Sequence, residues 1–142
     1  MEIRAARHED AAGIALLIGE LGYPVSPAVI EGKLSALCED GLDAVFVAAA
    51  GDRLGGCIGL HALSLLHIEG RLGRITSLVV GAPFRGQGIG ASLLARAHAW
   101  FEQSGCVKIE VTSGDQRHRA HRFYESHGYH RESQRFVRAP LA

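Results

Sequence analysis

The sequence lacks the features that mark membrane, secreted or nucleic-acid-binding proteins. Its 142 residues contain no run approaching the roughly 18 consecutive apolar positions that a membrane span requires, so no membrane partner is expected. The opening residues, Met1 to Arg7, include no apolar signal core, which favours a cytoplasmic location. Fifteen Lys and Arg residues balance fifteen Asp and Glu residues, and this zero net charge argues against a nucleic-acid partner.

Cysteine is also scarce. The three cysteines are widely spaced, show no pairing typical of a metal site and are expected to be small core residues in a reducing compartment: Cys38, Cys57 and Cys106. The eight histidines invite a metal interpretation. However, His118 and His121 are only three positions apart on an expected helix, and no cysteine or carboxylate set completes a site, so no metal is predicted.

Residues 1–142 contain no repeat, low-complexity tract or linker, and their length and 47% hydrophobic content predict a single domain. Apolar periodicity predicts the element order βααβββαβαβ, a mixed α+β fold. The predicted helices cover 9–21, 27–39, 88–104 and 118–127. The predicted strands cover 2–6, 43–50, 53–63, 75–80 and 107–112, with a last strand ending at Val137 and a looser connection over 64–73. Gly55, Gly56 and Gly59 are expected to weaken or bulge the third strand.

A glycine-rich turn stands between the strand that ends at Val80 and the helix that follows. Gly86, Gly88 and Gly90 alternate there, so side chains are absent where backbone N–H groups can converge on one point. The amino terminus of the helix adds roughly half a positive charge. Such a turn is suited to a phosphate or pyrophosphate, and a phosphorylated cofactor is predicted.

Two other phosphate-binding motifs fit this turn less well. The series Gly86-x-Gly88-x-x-Ala91, with Glu110 about twenty residues later, satisfies a dinucleotide-binding fingerprint. That fingerprint belongs in the first βα unit of a fold with several further strands, whereas here it comes past the middle of the chain. A Walker loop is excluded because no Gly-Lys-Ser/Thr follows.

Two blocks of the sequence resemble a known family. Residues 78–94, with Arg85, Gly88 and Gly90 at their centre, closely resemble the acyl-CoA motif of the GNAT superfamily of N-acetyltransferases. Residues 120–129 resemble the later Ala-x-x-Phe-Tyr-x-x-x-Gly-(Phe/Tyr) block of the same family. The resemblance covers the whole chain and implies a GNAT-type fold, a mixed α/β sandwich whose central mixed sheet of about six to seven strands is flanked by about four helices.

The resemblance also implies an activity. It predicts an enzyme that uses acetyl-CoA as co-substrate and transfers the acetyl group to a primary amine of a small molecule or protein, by direct attack in a ternary complex. Homodimers are common in the family, and the resemblance allows one here. The alternative is a non-catalytic module that binds or senses acyl-CoA.

The family's cofactor contacts map onto one run of this chain and two later positions. By resemblance, the strand backbone would hold the pantetheine arm, a bulge in that strand would free an N–H for the oxyanion, and the turn would hold the pyrophosphate. The cofactor-binding residues implied are Leu78, Val79, Val80, Arg85, Gly86, Gln87, Gly88, Ile89, Gly90, Arg117 and Phe123. Arg117 stands where many members of the family have an asparagine.

The catalytic residues are implied in the same way. Tyr124 matches the tyrosine that faces the coenzyme sulfur and is the predicted general acid. Because an ordinary tyrosine is a weaker acid than a thiol, it would act mainly by hydrogen-bonding the leaving thiolate. The strand before the turn lacks the acid that many relatives use as general base. Glu110 on the next strand is the predicted replacement, and the other candidates are Glu69, His61 and His67.

Charge is uneven along the chain. Residues 1–69 hold ten acidic and four basic residues, a net of −6, and residues 70–142 hold five acidic and eleven basic residues, a net of +6. In the family the first two helices wall the acceptor site, where Tyr23 is expected to line the site or pack beneath it. An acidic half there favours a cationic small molecule as acceptor, and the open alternative is that these charges lie on solvated helix faces.

Overall fold

The computed structural model describes residues 1–37, 39–113, 117–132 and 135–139. The chain forms two compact units, Met1–Val111 and Thr112–Ala142, and the single domain over residues 1–142 stays a prediction. The first unit runs β1 (Glu2–Ala5), α1 (Ala11–Leu21), α2 (Pro27–Leu37), β2 (Asp43–Ala50), β3 (Arg53–Ser64), β4 (Arg71–Val80), α3 (Ile89–Gln103) and β5 (Cys106–Val111). Short 3₁₀ turns, His8–Asp10 and Ala82–Phe84, precede α1 and follow β4. The second unit contains α4 (His118–Ser126).

The five strands form one mixed sheet in the order β1-β2-β3-β4-β5. The first three pairings are antiparallel: α1 and α2 connect β1 to β2, and short connections join β2 to β3 and β3 to β4. The pairing of β4 with β5 is parallel because α3 carries the chain back across the sheet. This arrangement confirms the mixed α+β class predicted from the sequence.

The described residues form five strands, fewer than the six to seven predicted. No residue among 129–132 and 135–139 lies in a strand, so the predicted last strand ending at Val137 is wrong within the described residues. The physical reason is the lack of an apolar face. Charged residues at 131, 132 and 135 interrupt the alternation, and the apolar side chains Phe136 and Val137 are 91% and 70% exposed.

The helices begin and end where local chemistry allows. The Ser26 hydroxyl accepts the N–H of Val29 at 3.3 Å, and Pro27 is the first residue of α2, as the sequence predicted. Gly22 ends α1 in the left-handed conformation, with φ of 110°. The predicted end of α2 at 39 was too late, since the helix ends at Leu37.

The sheet is covered on both faces. On one face α1 and α2 pack a cluster that includes Ile14, Leu17, Val47, Cys57 and Val79. On the other face α3 contributes fully buried side chains that include Leu93, Leu94 and Phe101. Adjacent residues of β3 point to opposite faces of the sheet. Cys57 belongs to the cluster beneath α1 and α2, whereas a Cβ on Gly56 would contact Leu93 and Ile89 of α3.

Cys57 fits the expectation of a small core residue, since burial raises the pKa of its thiol to about 12. Cys106 is half-buried at the start of β5, and Cys38 lies outside the described residues. In the part of the chain that is described, no helix is both long enough and apolar enough to cross a membrane. Nor do three or more His, Cys, Asp or Glu side chains come together there as potential metal ligands.

Candidate active site

The strand that precedes the glycine turn carries a bulge. Ser77 pairs with Gly59 and Ile75 pairs with Leu60, so Thr76 is an extra residue of β4 with no partner on β3. A bulge in this strand was expected from the resemblance. The bulge interrupts the regular pairing of β3 with β4 about halfway along β4, just before the residues predicted to hold the cofactor.

Beyond the bulge, one edge of β4 is open. The pairing of β4 with β5 runs from Arg71 to Ile75, and among the described residues no strand pairs with that side of residues 76–80. The N–H of Gly81 donates to the carbonyl of Gly55 at 2.8 Å. Because antiparallel partners alternate between bonded and non-bonded pairs, this bond turns the backbone groups of Leu78 and Val80 toward the open edge.

Val79 differs from its two neighbours. The same alternation directs its N–H and C=O to Cys57 on β3, and its side chain is buried in the cluster beneath α1. Of the three strand residues predicted to contact the cofactor, Leu78 and Val80 therefore have backbone groups at the edge. The carbonyl of Val80 accepts the Nε–H of Arg85 at 3.2 Å, which ties the first residue of the turn to the strand.

The glycine turn presents backbone N–H groups that the helix does not use. Gly86 and Gly88 have φ of 78° and 80°, and nothing lies within 4 Å of a Cβ added at either position. The glycines are thus needed for the left-handed backbone and not for space. Gly88 is the N-cap of α3 and has no side chain to cap it, and the first intrahelical bond runs from the N–H of Ser92 to the Gly88 carbonyl at 3.1 Å. The N–H groups of residues 89–91 are consequently available to an anion.

A cavity of about 430 Å³ lies on the α1 and α2 side of the sheet. Its walls come from α1, the loop after it, α2 and strands β2 to β4, and most of them are apolar. The bulge residues Thr76 and Ser77 line it, as does Tyr23, which is 68% exposed in the loop between the two helices. Lys33 and Asp43 are the charged side chains among the lining residues.

The floor of this cavity carries two hydroxyl groups. A Cβ added to Gly59 would lie 2.8 Å from Thr76 Oγ1 and 2.9 Å from Ser77 Oγ, so these oxygens occupy the space directly above the glycine. The bulge places two consecutive side chains on one face of β4, where a regular strand would place only one. The bulge thus adds a polar patch to the mostly apolar cavity, beside the open edge.

Four titratable side chains form a row across four neighbouring strands. Asp43, His61, Arg74 and Glu110 are successive register partners on β2, β3, β4 and β5, which places them on one face of the sheet. The Asp43 Oδ1 and His61 Nδ1 atoms are 2.8 Å apart. The Arg74 Nε–H donates to Glu110 Oε1 at 2.7 Å, and Arg74 Nη2 donates to the same oxygen.

This row bears on the predicted general bases. Glu110 is in an ion pair with Arg74, so a cation on the neighbouring strand already holds its carboxylate. The catalytic role of Glu110 stays a prediction. His61 is paired with the cavity residue Asp43, whereas His67 and Glu69 are exposed in the connection between β3 and β4.

The second unit holds the other predicted site residues. Arg117 is the N-cap of α4, and its carbonyl accepts the N–H of His121 at 3.0 Å. The ring of Tyr124 is 5.4 Å from that of Phe123 and 5.6 Å from that of Tyr129, measured between centroids. Burial raises the pKa of Tyr124, and the charge of Arg117 partly opposes this. Tyr124 is therefore protonated at neutral pH and able to donate a hydrogen bond. This suits a role as hydrogen-bond donor to a thiolate better than a role as a strong acid.

Similarity to known proteins agrees with this geometry. Residues 20–129 match the model of the family described as Acetyltransferase (GNAT) family. The chain is 34% identical over 143 aligned positions to an aminoalkylphosphonate N-acetyltransferase from Salmonella typhimurium, covering 97% of this chain and 90% of that protein.

Solved structures share the fold at low sequence identity. A transcriptional regulator from Bacillus halodurans has a TM-score of 0.84 at 22% identity, with 99% of each chain covered. Glucosamine-6-phosphate N-acetyltransferase from Arabidopsis thaliana has a TM-score of 0.82 at 18% identity, with 97% of each chain covered. The family match spans most of the sequence and includes both the glycine turn and α4. The chain therefore belongs to the GNAT family of acetyltransferases and is an acyl-transferring enzyme.

Proposed function

We propose that this protein transfers the acetyl group of acetyl-CoA to a primary amine of a small molecule that binds in the cavity beneath α1 and α2. The observation that carries the proposal is the continuity of three features along β4. The bulge at Thr76 and Ser77 lines the cavity, the open edge follows it, and the glycine turn comes next. A thioester on the open edge would lie beside the bulge, where an acceptor in the cavity can reach it.

The donor half of the site favours acetyl-CoA. The N–H groups at the start of α3 and in the turn suit a pyrophosphate, and Arg85 adds a positive charge beside them. The edge-facing backbone groups of Leu78 and the N–H of Val80 suit the amides of a pantetheine arm, which would add to the sheet edge as a strand does. Once the ternary complex forms, the amine attacks the thioester carbonyl directly.

The acceptor half favours a small molecule with both an amine and an acid group. The cavity has the size of a small-ligand site, and its charged lining residues are one anion, Asp43, and one cation, Lys33. Asp43 attracts an ammonium group, in line with the cationic acceptor expected from the sequence. Lys33 attracts an acid group at another point of the same cavity. An aminoalkylphosphonate, the acceptor named for the Salmonella relative, has both charges.

In this proposal Tyr124 donates a hydrogen bond to the sulfur as the C–S bond breaks. Its raised pKa keeps the phenol protonated throughout the neutral range. Full proton transfer from the phenol to the thiolate is uphill by about 2 kcal/mol even from reference pKa values. The hydroxyl therefore stabilises the thiolate, and the proton reaches sulfur in a later step.

The test is acetyl-CoA-dependent thiol release with a panel of amines that includes aminoalkylphosphonates, amino acids, polyamines, aminoglycosides and peptides. We expect turnover with small amines that also carry an acid group. The same assay with Tyr124→Phe should show kcat reduced about 10- to 100-fold, with little change in acetyl-CoA binding. Stabilisation by acetyl-CoA with no thiol release from any amine would refute catalysis and support the alternative of an acyl-CoA sensor.

A further inference from the structure

The imidazole of His61 on β3 is paired with the carboxylate of Asp43 on β2. In many families a histidine whose ring nitrogen is bonded to a carboxylate works as a proton acceptor, because the carboxylate fixes the tautomer and stabilises the imidazolium. Here Asp43 lines the acceptor cavity, and the His61 side chain is 35% exposed, so neither group is sealed in the core.

The position of His61 follows from its strand. Gly59 and His61 are two residues apart on β3, so their side-chain directions point to the same face of the sheet. Gly59 forms part of the cavity floor, and His61 is one step along the same face, where it is bonded to the lining residue Asp43. Asp43 on β2 holds the imidazole, with its Oδ1 atom 2.8 Å from His61 Nδ1.

The hydrogen bond also decides which nitrogen is basic. An ionised Asp43 accepts the proton carried by His61 Nδ1, which leaves the lone pair on Nε2. Among the described residues, no protein group is bonded to Nε2. The ring thus presents a free proton-accepting nitrogen.

Other charged groups lie on the elements near His61. Arg74 is its register partner on β4. Glu110 on β5 forms an ion pair with Arg74, which donates two N–H groups to one carboxylate oxygen. Asp43 is bonded to His61 from β2, and Lys33 of α2 lines the same cavity as Asp43.

We propose that His61 is the general base that deprotonates the acceptor ammonium, and that Asp43 is the residue that positions it. This assignment rests on the proposed function, because it requires an amine in the cavity. His61 Nε2 removes one proton from the ammonium and becomes imidazolium. The freed lone pair of the amine forms the C–N bond, the C–S bond breaks with its electron pair on sulfur, and the second nitrogen proton passes to the thiolate. The imidazolium then releases its proton to solvent.

The test compares the pH profiles of kcat/KM for the wild type, His61→Gln and Asp43→Asn, with His8→Gln as the matched control on the exposed 3₁₀ turn. We expect His61→Gln to lower kcat/KM by about 100-fold near neutral pH and to abolish the acid limb of the profile. Asp43→Asn should lower the plateau of the profile through kcat, with acetyl-CoA binding unchanged, because the imidazole loses the carboxylate that fixes its orientation and tautomer. His8→Gln should match the wild type.

Two further measurements separate catalysis from folding. The rise in melting temperature with acetyl-CoA should be the same in wild type and His61→Gln, and added imidazole should restore part of the activity of His61→Ala. The loss in His61→Gln should also be smaller for amines of low pKa, which arrive without the proton.

The outcomes that overturn the assignment are distinct. Wild-type turnover with an unchanged profile in His61→Gln overturns the role of His61 and leaves the proposed function standing. An activity that is lost in Glu110→Gln and kept in His61→Gln returns the general base to Glu110. No thiol release by the wild type with any amine overturns both proposals.

Discussion

Replacing Gly73 by alanine should destabilise the protein, because the added methyl group would overlap the ring of Phe101 on α3. A Cβ at Gly73 would lie 2.6, 2.8 and 2.9 Å from three ring carbons of Phe101. Ordinary carbon–carbon contacts are about 3.5–4.0 Å, so the ring or the strand must move by roughly 1 Å. Phe101 is 1% exposed, and in a close-packed interior its ring can move only by displacing its neighbours.

The magnitude follows from two opposing effects. Overpacking a buried site costs about 1–3 kcal/mol. Alanine also restricts the unfolded chain, which offsets about 0.4–1 kcal/mol of that cost. The net loss in the free energy of unfolding should be about 1–2 kcal/mol, which for a chain of this size corresponds to a melting temperature lower by about 3–8 °C.

Urea denaturation measures this change, and Gly32→Ala provides the matched control. Gly32 is exposed in the middle of α2, and nothing lies within 4 Å of its added Cβ. There the same substitution should raise the free energy of unfolding by about 0.5–1 kcal/mol through helix propensity. Combining Gly73→Ala with Phe101→Leu should cost less than the sum of the two single changes, because the smaller side chain makes room. A Gly73→Ala protein as stable as the wild type would refute the steric explanation.

Three further predictions concern charge, the turn and the tyrosine. Asp10 is 7% exposed, and its carboxylate accepts hydrogen bonds from Arg4 at 2.7 and 3.0 Å, which lower its pKa. Asp10→Asn should therefore reduce the free energy of unfolding by about 2 kcal/mol at neutral pH. The lowered pKa means that this stability is present above about pH 4 and is lost as the pH falls toward the folded value, so chemical denaturation should show the two proteins converging in acid. Gly88→Ala places a Cβ on a backbone with φ of 80° and should weaken acetyl-CoA binding about tenfold, measured by calorimetry; unchanged affinity would remove the turn from the site. Tyr124→Phe should slow acetyl transfer most for thioesters whose leaving thiol has the highest pKa, and equal slowing across a thioester series would contradict a bond to sulfur.

Local signals were sufficient for much of the fold. The bounds predicted for β2, residues 43–50, match the strand Asp43–Ala50, because the run is apolar and a Gly51–Asp52 turn ends it. The start of α2 was equally local, since Ser26 and Pro27 are a cap and a first-turn residue in any context. The glycine turn was recognisable for the same reason, because the left-handed positions at Gly86 and Gly88 require glycine.

Elements that depend on distant partners were predicted less well. Residues 71–73 were assigned to a loose connection, yet they belong to β4. This segment has too few apolar residues to show a strand pattern in the sequence. It is a strand because it pairs with β3 on one side and β5 on the other. The last strand was predicted from a weak alternation, and no described residue of that segment pairs with a strand.

The proposed base shows most clearly what the sequence determined and what it did not. The sequence determined the residue types, the β2–β3 hairpin and the expectation that Gly55 and its neighbours would disturb the strand. From the turn pair of Ala50 and Arg53, an unbroken register would place Asp43 opposite Leu60. The tertiary structure inserts Gly55 as an extra residue beside Ala49 and so shifts the register by one, which brings Asp43 opposite His61. Because side chains alternate between faces along a strand, this one-residue shift places the carboxylate on the same face as the imidazole. The packing of the whole sheet selects the shifted register.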